Sequence, residues 1–174
     1  MCYLSLEKVI HRDLAARNCL LGSKNELKIS DFGLSVMNKS ELRLNKLHKV
    51  PIKWLSPETI KEGVFSTKTD VWSFGVLMWE IFDNCKRDPF PGETNAQAAI
   101  LIAGKTPPME PPPGSPPIVK QVMDLCFVRS PDLRSDFTGL LHVLAPNEPL
   151  PTLSTKSSLV ETAKRSSLRN RTSS

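Results

Sequence analysis

H-R-D-L-A-A-R-N, residues 11–18, decides how this sequence is read, and everything else is placed around it. A carboxylate, Asp13, stands five residues before an amide, Asn18, with Arg17 beside the amide. D-F-G follows at 31–33. Between the two lie short apolar runs, Cys19 to Leu21 and Leu27 to Ser30, separated by the turn-rich G-S-K-N-E. A hairpin over these residues returns Asn18 and Asp31 to one edge. Phosphoryl transfer asks for that set: a carboxylate to orient the attacking hydroxyl and accept its proton, and oxygen ligands for a magnesium ion that neutralises the phosphates. Either motif alone is weak. Both, in this order and at this separation, are specific.

Outward from the motif the chain reads as mainly helical. Residues 1–8 read as the last turns of a helix, and Val9-Ile10 as a small strand. From Asp31 to Pro57 neither helical nor strand period is sustained, so a long surface loop is expected. A helix is expected from about Asp70, with Ser66, Thr67 or Thr69 to cap it. Val71, Trp72, Phe74, Val76, Leu77, Met78, Trp79, Ile81 and Phe82 occupy every face of it, so it must be central. Thr94 to Ala103, Ile118 to Phe127 and Asp136 to Leu144 read as further helices, with a proline-rich extended connector, T-P-P-M-E-P-P-P-G-S-P-P, before the second of these. After Ala145 the composition turns to Pro, Ser, Thr and Arg, and disorder is expected over 145–174.

The 174 residues suffice for one ordinary domain, and 40% hydrophobic with 24% charged residues is a globular composition. The net charge of +5 lies largely in the tail, where Lys156, Lys164, Arg165, Arg169 and Arg171 face only Glu161; it does not argue for nucleic acid. A weak contact of that tail with anionic surfaces is the partner it suits. Cys2, Cys19, Cys85 and Cys126 lie far apart with no C-x-x-C pair, which suits reduced thiols. No signal peptide and no 18-residue apolar run is visible, so a cytoplasmic location is expected.

The sequence resembles the protein kinases over residues 1 to about 144. Besides HRDLAARN and DFG, the resemblance rests on S-P-E at 56–58, D-V-W-S-F-G-V at 70–76, P-F-P-G-E-T-N at 89–95 and C-F-V-R-S-P-D-L-R-S-D-F at 126–137. Ser56, Phe127 and Ser135 depart from the family's Ala, Trp and Pro. A-A-R after H-R-D-L, with P-I-K-W at 51–54, is similar to the tyrosine kinases, and within them to the non-receptor Fes/Fer group.

The resemblance implies a kinase C-terminal lobe over 1–144, transferring the γ-phosphate of ATP, with magnesium, to tyrosine in protein substrates. Asp13 would be the catalytic base, and Asn18 and Asp31 the magnesium ligands. Arg17 would assist at the phosphate, Leu20 would floor the adenine pocket, and Pro51, Ile52, Lys53 and Trp54 would seat the substrate tyrosine. His11 and Phe32 would stack in a column of side chains anchored by Asp70, Arg12 would be structural, and Glu58 would pair with Arg134. Taken singly, Asp13 and Asp31 are equally turn residues, His11 a core histidine, Leu20 core under any reading, and the tryptophans packing. Lys53 and Ser56 stay open between packing and function. With glycines at 22, 33, 63, 75, 92, 104, 114 and 139, no G-x-G exists. The expectation is therefore a chain without the family's N-terminal lobe and inactive by itself. The alternative is a non-catalytic docking or competing module. The family's usual tyrosine between DFG and the APE-like motif is also missing; the only tyrosine is Tyr3.

Overall fold

A computed structural model describes residues 1–46, 50–104 and 107–153. The expectations for the basic tail from Lys156 on lie outside the described residues. Among the described residues six helices, α1 (Cys2–Leu6), α2 (Pro57–Glu62), α3 (Thr67–Phe82), α4 (Asn95–Gly104), α5 (Pro117–Cys126) and α6 (Phe137–Leu144), form the body. Six short strands, β1 (Val9–Ile10), β2 (Cys19–Leu21), β3 (Leu27–Ile29), β4 (Val36–Met37), β5 (Glu41–Arg43) and β6 (Val64–Ser66), pair as three two-stranded antiparallel ribbons.

The central helix is α3, as its all-round apolar surface requires. Val71, Trp72 and Val76 are fully buried, and the Trp72 ring meets Phe127 edge-on at 5.0 Å. Against α3, helix α5 turns Val119, Val122, Met123 and Cys126, a stripe at helical spacing. Gly75 makes this approach close: a Cβ there would lie 2.7 Å from Cys126 Cβ and 2.8 Å from the Phe127 ring. Helix α6 adds Phe137 and Leu140 to the same core. Each fully buried side chain of this size contributes roughly 1.5–3 kcal/mol.

Helix starts follow side-chain chemistry. The structure starts α3 at Thr67 rather than near Asp70, because Ser66 accepts from Lys68 N at 3.1 Å while Thr69 Oγ1 accepts from Ser66 N at 3.1 Å. Thr94 caps α4 the same way, accepting from Gln97 N at 3.3 Å while its own N–H donates to the Gln97 amide at 2.9 Å. Ser56 caps α2 with Pro57 in its first turn, and Asp136 caps α6.

Two expectations are corrected. The stretch from Asp31 to Pro57 is not wholly a loop, since β4 pairs with β1 (Ile10↔Val36) and β5 with β6 (Leu42↔Phe65). Strands of two or three residues have no period to read, and their partners lie elsewhere in the chain. The short helix α2 follows this stretch, unannounced by any apolar repeat. Leu20 is not core: it is 55% exposed. Cys19 and Ile29 rest on the helical body, so strand alternation turns Leu20 to the opposite face of the ribbon.

Candidate active site

The loop after β1 is tied to the start of α3. Arg12 has a left-handed backbone, φ +72°, which turns two consecutive N–H groups the same way. Asp70 accepts both, from His11 N at 2.7 Å and Arg12 N at 2.9 Å. Burial pushes the Asp70 carboxyl up to about 7, against these two donors and the nearby Arg12. The Arg12 guanidinium lies 4.5 Å over the Phe65 ring and donates to Leu34 O at 2.8 Å. His11 is fully buried; its Nδ1 accepts from Asp13 N at 3.3 Å, so its Nε2 carries the hydrogen and donates to Ser30 O at 3.1 Å. Burial lowers the imidazole pKa, which agrees with that neutral tautomer. The ring meets Phe32 edge-on at 5.0 Å.

Asp13 is held by two neighbours. Asn18 Nδ2 donates to its Oδ2 at 2.9 Å and to its main-chain oxygen at 2.7 Å, and Arg17 pairs with its Oδ1. A 3₁₀ turn over Ala16–Asn18 sets this spacing. At the base of the β2–β3 hairpin, Asn18 O accepts from Ser30 N at 2.9 Å and from Ser30 Oγ at 3.0 Å. The ribbon thus delivers Asp31, the next residue, to the edge that carries Asn18. Asp31 is left-handed at φ +59° and accepts from Gly33 N at 3.3 Å through Oδ1. Asn18 spends its Nδ2 on Asp13, which leaves its amide oxygen for a ligand, and Asp31 keeps Oδ2. One carboxylate and one amide oxygen fit magnesium, which takes few protein ligands and keeps water and phosphate oxygens. Among the described residues no cluster of three or more His, Cys, Asp or Glu forms a protein cage for a metal.

The 51–54 segment sits beside this loop. Arg17 stacks over the Trp54 ring at 4.6 Å, so one arginine touches both Asp13 and the 51–54 segment. Trp54 O accepts from Ser73 Oγ at 2.8 Å, and Trp54 Nε1 donates to Glu80 Oε2 at 3.0 Å. Lys53, which composition left open, is buried and paired with Asp88 at 2.6 Å. Ser56 is fully buried as the cap of α2 and bonds Thr59 Oγ1 at 2.9 Å. Arg17, Trp54, Glu80, Cys85 and Asp88 line a cavity of about 310 Å³. Sequence reasoning missed Glu80 and Asp88. For Glu80 a signal existed: a carboxylate late in the largely apolar run Val71 to Phe82.

The family described as protein tyrosine and serine/threonine kinase matches residues 1–144. The chain belongs to that family. Fer-related kinase 1 of Caenorhabditis elegans is 50% identical over 141 residues, covering 80% of this chain and 36% of that protein. Human protein-tyrosine kinase 6 is 43% identical over 146 residues, 83% of this chain and 32% of its own length. Human tyrosine-protein kinase Fer is 42% identical over 141 residues, 80% of this chain and 17% of its own length. The chain thus spans about a third or less of the length of these curated relatives. Its kinase-family match ends with α6, the last helix among the described residues.

Away from the loop, Arg134 ties this kinase region together. Its side chain is fully buried and donates to Glu58 at 2.6 and 3.0 Å, and to the carbonyls of Val128, Lys68 and Arg129. Five acceptor oxygens from four residues around one guanidinium are what a desolvated arginine needs.

Proposed function

We propose that the chain is the C-terminal lobe of a protein tyrosine kinase and carries its catalytic loop and substrate platform. The reaction is transfer of the ATP γ-phosphate to a tyrosine hydroxyl of a protein. The hydroxyl oxygen bonds to the γ-phosphorus, the bond from that phosphorus to the bridging oxygen breaks, and ADP leaves. Asp13 orients the hydroxyl and takes its proton. Asn18 fixes the Asp13 carboxylate through Nδ2, and Arg17 places a positive charge where negative charge gathers. Magnesium, held by the Asn18 amide oxygen and Asp31, would neutralise the phosphates. Leu20, on the open face of the β2–β3 ribbon, offers an apolar floor for adenine. The platform 51–54 sits beside Asp13 through the Arg17–Trp54 stack, and a ring-bearing substrate suits a surface of proline and tryptophan.

One observation carries the reading: Arg17 touches both the Asp13 carboxylate and the Trp54 ring, so loop and platform form a single site. The relatives' names and the tyrosine-type A-A-R and P-I-K-W motifs support tyrosine over serine, and kinship to the Fer group supports a non-receptor enzyme. No helix among the described residues is long and apolar enough to cross a membrane. A cytoplasmic location is part of the proposal. The test uses the full-length protein with ATP, magnesium and paired tyrosine and serine peptides. Phosphate should appear on tyrosine only, and Asp13→Asn should lower the rate by about 10²–10⁴-fold. Phosphoserine as the product, or an unchanged rate in the variant, overturns the assignment.

A further inference from the structure

Helix α3 carries two buried carboxylates, and the first, Asp70, is answered by the His11 and Arg12 N–H groups. The second, Glu80, is 8% exposed and follows the buried apolar run Val76 to Trp79. A carboxylate there is costly unless something answers it. Two groups do, and they come from different parts of the site. Ala16 N, the first residue of the 3₁₀ turn that sets Arg17 and Asn18, donates to Glu80 Oε2 at 2.9 Å. Trp54 Nε1, from the platform, donates to the same oxygen at 3.0 Å.

We propose that Glu80 is a positioning residue that clasps the catalytic loop to the substrate platform through one carboxylate oxygen. This rests on the reading of residues 11–18 and 51–54 as one active site. The geometry makes the clasp specific. The indole N–H sets the tilt of the Trp54 ring, and the opposite bond sets the height of the turn bearing Arg17. With both fixed, the guanidinium lies 4.6 Å over the ring. Ser73, two turns earlier on α3, holds Trp54 by its carbonyl at 2.8 Å, so the helix grips the residue at backbone and side chain. Glu80 also lines the 310 Å³ cavity, together with Arg17 and Asp88. Burial raises the Glu80 pKa, against the two donors and Arg17, so the group is answered but incompletely. The substrate most affected is the peptide, because the clasp touches the platform and the Asp13–Arg17 loop rather than Asn18 or Asp31.

The test uses the full-length protein and two variants. Glu80→Gln keeps an oxygen that accepts both hydrogen bonds; Glu80→Ala keeps none. We expect Glu80→Ala to raise KM for a tyrosine peptide by ~10-fold while KM for ATP changes less than ~2-fold, with Glu80→Gln restoring the peptide KM to within ~3-fold. A purely structural role would lower the active fraction and depress kcat with both KM values unchanged; that result overturns the inference. A second readout does not depend on catalysis. In protein labelled with ¹⁵N-tryptophan, with the Trp54 indole assigned by Trp54→Phe, Glu80→Gln should move the Trp54 indole N–H signal and leave that of Trp72 in place. An unmoved Trp54 signal overturns the clasp even if the kinase is active. If no phosphotransfer is found, the kinase reading fails, and the indole signal still decides the clasp.

Discussion

At the scale of single residues, two buried charges give opposite lessons. Asp70 titrates near 7 in the fold against an ordinary value of 3.8. Between those values the folded chain holds a proton that the unfolded chain lacks, so this group makes stability fall as pH rises from about 4 to about 7. His11 works the other way. Its lowered pKa leaves the folded ring neutral where the unfolded ring protonates, so stability falls as pH drops below about 6.5. Asp70→Asn removes the first slope and keeps the second. Its amide offers one acceptor to two N–H groups, and the variant should lose about 1–3 kcal/mol. The deficit should be larger at pH 5 than at pH 7, as read by urea melts at both. A deficit that grows with pH would mean the carboxylate is stabilised as the anion. Arg134 is simpler: Glu58→Ala strips a fully buried guanidinium of its one counter-charge among the described residues and should cost about 3 kcal/mol in the same melts. Pairing it with Arg134→Met should recover most of that loss.

At the scale of elements, close approach rather than propensity decides α3. Glycine inside a helix is unfavourable by roughly 1 kcal/mol relative to alanine, so Gly75→Ala should stabilise the isolated helix. In the fold the new methyl would lie 2.7 Å from Cys126 Cβ and against the Phe127 ring. Overpacking should win, with a net loss of about 1–3 kcal/mol. Gly104, at the end of α4, is the control: nothing lies within 4 Å of a Cβ there, so Gly104→Ala should be neutral or slightly stabilising. Thermal melts of the two variants side by side separate packing from propensity. A destabilised Gly104→Ala beside an unchanged Gly75→Ala would reverse the account.

At the scale of the whole molecule, exposed apolar side chains occur singly on the helical body, such as Ile81, Ile100 and Leu144, but cluster in sequence on the ribbon side. Leu20, Leu21, Leu27, Phe32, Leu34 and Met37, all within the hairpin and the segment that follows it, are 45–70% exposed. Exposed apolar groups at this density promote association. The 174-residue chain should therefore self-associate in sedimentation equilibrium at micromolar concentration. Leu21 and Leu27 are cross-strand partners on one face of the ribbon, and converting both to lysine should shift the equilibrium toward monomer. A wild-type chain that stays monomeric at high concentration would show that this face is not a contact surface.

The motifs themselves determined much. H-R-D-L-A-A-R-N, the hairpin signals around G-S-K-N-E and the largely apolar α3 announce the loop, the ribbon and the central helix. Local chemistry is enough for these: a turn composition makes a hairpin, and a helix without a polar face has to be buried. Tertiary structure alone decided the pairing of β4 with β1 and β5 with β6, the exposure of Leu20, and the uses of Lys53, Asp88 and Glu80. Strands of two or three residues exist only because a partner supplies their hydrogen bonds, so nothing within them can declare them. Glu80 is the sharpest case. In the sequence it interrupts an apolar helix. Only the fold, by carrying Ala16 N–H and the Trp54 indole to the same oxygen, gives a buried carboxylate two donors and a role.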